Sequence, residues 1–102
     1  MAGALRSRPV TVVGGGVAGL TAAIALRQRG ADVTILERAP AITEVGAGLQ
    51  LSPNATRVLD ALGLMPALDA VSLPSQAVRL RDASGADVVR LDLARHRPRA
   101  RF

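Results

Sequence analysis

Cysteine, tryptophan, tyrosine and lysine are all missing from this 102-residue chain, and phenylalanine and histidine occur once each. Without cysteine there is no disulfide scaffold and no thiolate metal site, and a cytoplasmic protein is the default expectation. At this length the chain is at most one ordinary domain, which excludes a complete two-domain enzyme. Its composition, 49% hydrophobic and 21% charged, is nevertheless that of a globular protein rather than a disordered one.

All 13 basic residues are arginine, and the formal net charge is +5. Such a balance would by itself point to a polyanionic partner. Its distribution says otherwise. Arg6 and Arg8 precede the first apolar run, and Arg95, Arg97, Arg99 and Arg101 crowd the last eight positions. Between Pro9 and Ala94 seven arginines face eight carboxylates, a net charge of −1. No aromatic residue is interleaved with the arginines at 95–101 to stack bases, so they read as a solvated end and no nucleic-acid partner is expected.

Val10-Thr11-Val12-Val13 is a short β-branched run stopped by Gly14-Gly15-Gly16, the pattern of a strand buried on both faces. A helix is predicted from Val17 to Arg29, with Gly30 placed to close it in the left-handed conformation. Val33-Thr34-Ile35-Leu36 repeats the buried-strand pattern and ends at Glu37. Strand, helix and strand in about 30 residues make a βαβ unit with a right-handed crossover.

Further on, Gly46-Ala47-Gly48-Leu49-Gln50-Leu51 reads as a glycine-led extended segment, and Ser52-Pro53 as an N-cap with proline at the first helical position. Ala55, Val58, Leu59 and Leu62 form one apolar stripe of the next helix; Arg57 and Asp60 are spaced to pair on its solvent side, and Gly63 ends it. A short helix is predicted over Pro66 to Val71. Gln76 to Arg81 and Asp87 to Leu93 alternate around Asp82-Ala83-Ser84-Gly85, a hairpin by pattern and turn chemistry.

The 17 uncharged positions from Val10 to Leu26 superficially resemble a signal peptide or a very short membrane span. Four glycines and two threonines dilute the run, and it divides into a strand half and a helix half. It is read as neither, and no membrane partner is expected.

Gly14-x-Gly16-x-x-Gly19 leaves a predicted strand and opens a predicted helix, which is the context that gives this short pattern meaning. Gly14 permits the tight turn, Gly16 lets a diphosphate approach the backbone, and Gly19 lets the helix lie close to the strand. The Val17 and Ala18 amides then sit among the unpaired donors at the positive end of the helix. Glu37 follows Gly19 by 18 residues, at the strand end where an acid can accept hydrogen bonds from a ribose diol. An acid there suits the ADP part of FAD or NAD better than NADP, although Arg38 beside it leaves a 2′-phosphate open.

The run VVGGGVAGLTAAIALRQRGADVTILERAP from Val12, followed by EVGAGLQLSPNA up to Ala55, resembles the N-terminus of class A FAD-dependent monooxygenases, especially the salicylate-hydroxylase-like aromatic hydroxylases. The Gly46 to Asn54 stretch separates this group from other dinucleotide-binding proteins. The resemblance extends to about Ala94 and implies an α/β fold, the incomplete N-terminal part of a Rossmann-like FAD-binding domain spanning residues 1–94.

It also implies that FAD is the cofactor and NAD(P)H the co-substrate, with O2 supplying an oxygen atom for an aromatic substrate. Gly14, Gly16 and Gly19, with the Val17 and Ala18 amides, would hold the diphosphate. Glu37 would hold the adenosine ribose, and Arg38 would lie beside the adenosine. The Gly46 to Leu51 segment would run beside the flavin, Gly48 permitting close approach and Gln50 facing the substrate; the other reading of Gln50 is an ordinary strand-edge amide. The alternative for the whole chain is a stand-alone ADP- or NAD-binding module without catalysis.

Other motifs of the family, an Asp-Gly segment touching both cofactors and a Gly-Asp motif at the ribityl chain, have no counterpart, so the expectation is an N-terminal fragment that is inactive alone. No catalytic residue is assigned, and His96, the one imidazole, has no cluster around it for a metal or catalytic role. The Arg/Pro/Ala-rich run at 95–102 is what a shifted frame yields in GC-rich coding DNA, and a truncated or frame-shifted tail is expected there. Two parallel strands without neighbours would leave apolar faces open, which makes independent folding doubtful.

Overall fold

A computed structural model describes residues 3–44, 46 and 48–95. They fall into two compact units, one up to Gly48 and one from Leu49.

The first unit is the expected βαβ element. Strand β1 spans Pro9–Val13, helix α1 spans Val17–Gln28 and strand β2 spans Asp32–Leu36. The two strands pair in parallel, with Pro9 opposite Asp32 and Val13 opposite Leu36. Helix α1 packs on both. Gly30 ends the helix as anticipated, at φ +92°, with its N–H donating to Arg27 O and that of Ala31 to Leu26 O. Ala23, from the middle of α1, and Ala31, just before β2, are the buried apolar residues of this unit.

The strands are not buried on both faces. Val10, Val12 and Val33 are partly covered, whereas Val13 is 83% exposed and Leu36 54%. A run of β-branched residues records the environment a strand is suited to; here a single helix covers a two-stranded sheet, so the opposite face is bare.

The second unit holds helix α2 over Pro53–Ala61, helix α3 over Met65–Asp69, and strands β3 over Ala77–Arg81 and β4 over Asp87–Asp92. Ser52 occupies the N-cap position with Pro53 at N1, but its side chain makes no capping bond. Gly63 terminates α2 at φ +78°, with the Leu64 N–H donating to Leu59 O. Two details of the predicted stripe fail. Ala55, Leu59 and Leu62 are partly covered, but Val58 is exposed and Thr56 is the buried residue of α2, its hydroxyl donating to Pro53 O, so the covered face is rotated from the predicted stripe. Arg57 and Asp60 make no ion pair among the described residues; exposed partners gain too little from pairing to hold two side chains in one geometry.

The hairpin forms where the alternation placed it. Asp82 organises its turn by accepting from the Ser84 N–H at 2.9 Å, the Ser84 hydroxyl at 2.6 Å and the Ala86 N–H at 3.0 Å. These bonds, led by the Ser84 hydroxyl, hold the Asp82 carboxyl below its ordinary pKa. Gly85 supplies the positive φ of the turn. Val78, Leu80, Val89 and Leu91 share one hairpin face and are all half-exposed.

The Gly46 to Leu51 segment joins no sheet. Its described residues form no strand, since an extended segment becomes one only when a neighbour pairs with it. Val45, Ala47 and residues 96–102, His96 among them, lie outside the described residues.

Candidate functional site

The turn between β1 and α1 carries the site. Val13 ends the strand, and the chain reverses through Gly14 at φ +105°, a conformation that a residue with a Cβ rarely adopts. The Gly14 N–H donates to Leu36 O at 2.7 Å, continuing the parallel ladder one step beyond the last paired residues and tying the turn to the end of β2.

Gly16 is the N-cap of α1, at φ −77° and ψ −177°, and no side chain caps the helix. The first helical bond runs from the Leu20 N–H to Gly16 O at 2.9 Å. Val17 and Ala18 therefore lie ahead of the intrahelical ladder, and among the described residues their amides and that of Gly16 reach no acceptor. No acidic residue stands in the first turn to neutralise the positive helix end. These are the donors an anion would use.

Each fingerprint glycine has a different reason for lacking a side chain. A Cβ on Gly16 would meet nothing within 4 Å, so the space above it is open. A Cβ on Gly19 would fall 1.9 Å from Gly14 O and 3.5 Å from Val12 Cγ1, so α1 rests directly on the turn and on β1 at that point. The close packing at Gly19 is what its spacing suggested, and the space over Gly16 is open.

Glu37, immediately after β2, is exposed and adjacent to this turn. Its Oε2 accepts from the Gly15 N–H at 2.5 Å and its Oε1 from the Ala39 N–H at 2.8 Å. The amide bonds, that from Ala39 foremost and that from Gly15 next, hold the carboxyl below its ordinary pKa, so it is ionised at neutral pH. Arg38 is exposed beside it.

Gly15 is the residue that sequence reasoning passed over. The pattern allows any residue there, yet Gly15 is buried, and the three atoms nearest to a Cβ at that position all belong to the Glu37 side chain, at 3.0, 3.2 and 3.3 Å. One signal was available in the sequence, a third glycine in a motif that needs two at the turn; the register that brings residue 37 alongside residues 14 and 15 is seen only in the fold.

Gly14, Gly16, Val17, Ala18, Gly19 and Glu37 are thus assembled at one end of the parallel sheet. Gly48 ends the first unit, with open space around a would-be Cβ, and Gln50 is an exposed residue of the second. A shallow depression of about 410 Å³ lined by Ser7, Arg27, Gly30, Ala31 and Asp32 lies at the opposite end of the strands and takes no part. No group of three or more potential metal ligands occurs among the described residues, and no helix among them is long and apolar enough to cross a membrane.

The residues present fit the ADP half of a dinucleotide. Open space and free amides face where a diphosphate would lie, and a fixed carboxylate stands at the strand end where a ribose would follow.

Comparison with known proteins agrees. Residues 7–101 match the model of a family described as FAD binding domain. The chain is 51% identical over 85 residues to a 3-amino-4-hydroxybenzoate 2-monooxygenase of Streptomyces cremeus, covering 82% of this chain and 22% of that protein. It is 59% identical over 56 residues to a 3-hydroxybenzoate 6-hydroxylase of Polaromonas naphthalenivorans, covering 55% of this chain and 14% of that protein. An FAD-dependent monooxygenase of Beauveria bassiana is 51% identical over 77 residues, covering 74% and 18%. The chain thus spans about a fifth of the length of these relatives. With the amide-lined turn, the βαβ unit and a family match over nearly its whole length, the chain belongs to the FAD-binding domain family, and its cofactor is FAD.

Proposed function

We propose that this chain is the ADP-holding part of an NAD(P)H-dependent flavoprotein monooxygenase that hydroxylates an aromatic acid. The observation that carries the reading is the row of unpartnered amides at Gly16, Val17 and Ala18, opening α1 directly beside the Glu37 carboxylate. The relatives named above include two enzymes acting on hydroxybenzoates, which supports an aromatic acid of that class as substrate.

Gly14 and Gly19 shape the turn, and the Gly16, Val17 and Ala18 amides bind the diphosphate. Glu37 accepts from the adenosine ribose, and Arg38 lies beside the adenosine. Gly48 gives the isoalloxazine side of the cofactor close passage to the backbone, and Gln50 faces the substrate. Bound there, FAD would supply the redox chemistry for ring hydroxylation by O2, with NAD(P)H as the reductant. None of the residues assembled at the turn is placed as a general acid or base, so they bind and orient only. The reading carries a cytoplasmic location with it.

Titration of the chain with FAD, NAD and a short DNA duplex tests this. Saturable FAD binding at least tenfold tighter than NAD is expected, with no substrate-dependent NADH oxidation when 3-hydroxybenzoate is added. Equal affinity for NAD would favour a stand-alone nucleotide-binding module. Salt-sensitive duplex binding, lost when Arg95–Arg101 are deleted, would replace both readings with a basic interaction protein.

A further inference from the structure

Glu37 is expected to meet a ribose, yet both of its carboxylate oxygens hold backbone amides, Oε2 that of Gly15 and Oε1 that of Ala39. The Gly15 bond joins residues 22 apart in sequence, and Gly15 is buried beneath it. Its neighbour Gly14 is anchored to the same strand end through Leu36 O at 2.7 Å. The turn is therefore fastened to the end of β2 twice in succession, once by main chain and once by the Glu37 side chain. Directly after these two fastened amides come the free ones of Gly16, Val17 and Ala18.

We propose that Glu37 is a positioning residue for the diphosphate, clamping Gly15 so that the next three amides are held ready for the anion, and that position 15 is glycine because the Glu37 side chain crowds the place of its Cβ. The proposal rests on the FAD-binding reading but assigns Glu37 a task that needs no ribose. Each carboxylate oxygen keeps a second lone pair, so the clamp and a ribose bond are compatible. A charge-assisted bond to a buried amide is the stronger kind, and pre-ordering the amides before the ligand arrives lowers the ordering cost of binding.

The clamp has a pH sign. Amide bonds hold the Glu37 carboxyl below the ordinary glutamate range, so the clamp is fully present above that range and is lost as pH falls through the depressed value.

Two measurements on the full chain test it. In the ligand-free protein the Gly15 amide proton should resonate far downfield, follow a titration with its midpoint below the ordinary glutamate range, and move upfield in Glu37→Ala. The near-isosteric Glu37→Gln should keep the fold and remove the titration. In the second measurement, ADP and 2′,3′-dideoxy-ADP are titrated into wild type and Glu37→Ala. Roughly tenfold weaker binding of the dideoxy nucleotide by the variant is expected, the loss of about one charge-assisted hydrogen bond. Gly15→Ala should weaken the same ligand, with an effect that shrinks in the Glu37→Ala background.

A dideoxy-ADP affinity indifferent to Glu37→Ala, or a Gly15 resonance that neither titrates in wild type nor moves in either Glu37 variant, would overturn the proposal. If wild type binds neither nucleotide, the FAD-binding reading fails, and the Gly15 resonance still decides whether the clamp exists.

Discussion

Gly19→Ala is expected to destabilise the βαβ unit by about 3 kcal/mol, the upper end of the usual range for overpacking a close contact. The added methyl would lie 1.9 Å from Gly14 O and 3.0 Å from Gly14 C. Both are main-chain atoms of a turn whose amide is bonded to Leu36 O, so neither can rotate out of the way as a side-chain tip would. Relief requires lifting the first turn of α1 from β1, and the free amides of Gly16, Val17 and Ala18 would move with it. FAD binding should be lost together with stability. Urea denaturation followed by far-ultraviolet circular dichroism measures the first effect. An unchanged midpoint would show that α1 does not rest on the turn at Gly19.

Gly16→Val should do the reverse. Its backbone, at φ −77° and ψ −177°, is open to a β-branched residue, and a Cβ there meets nothing within 4 Å. Valine is a poorer N-cap than glycine, which costs about 1 kcal/mol or less. The ligand feels the change far more, because the isopropyl group fills the space through which a diphosphate reaches the amides. Losing about two hydrogen bonds to a charged group corresponds to roughly 100-fold weaker FAD binding. Denaturation and FAD titration on the same preparation separate the effects. A variant that unfolds as readily as Gly19→Ala, or one that binds FAD as wild type does, would contradict this assignment. Two glycines of one motif are thus distinguished, one kept for packing and one for access.

Local backbone chemistry was the most legible part of this protein. Gly14, Gly30, Gly63 and Gly85 all have the positive φ that their positions at turns and helix ends suggested. Both strands of the βαβ unit and the hairpin lie within a residue or two of where their patterns placed them. Burial was less legible. A β-branched run such as Val10 to Val13 shows what surroundings suit a strand and not whether they are there, and Val13 is bare. The Gly46 to Leu51 segment, read as extended, pairs with no strand, since alternation does not supply a pairing partner. In α2, Thr56 took the buried place by returning its hydroxyl to Pro53 O, an option that hydrophobic spacing ignores.

The site divides in the same way. The glycine spacing and the distance to Glu37 anticipated that the turn and the carboxylate would meet, because each depends on local geometry plus one parallel register. The bond between Glu37 and Gly15 joins two segments that the pattern treats separately, so only the assembled turn reveals it. Gln50 and Gly48 depend on how the chain beyond the turn is arranged, which spacing alone does not specify.

The most direct measurement is displacement of FAD from the purified chain, followed by flavin fluorescence anisotropy, with ADP and FMN as competitors. A site made of the Gly16 to Ala18 amides and Glu37 predicts that ADP displaces FAD while FMN, which lacks the adenosine half, does not. Displacement by FMN with ADP inert would contradict it, placing the cofactor's main hold elsewhere than the glycine turn.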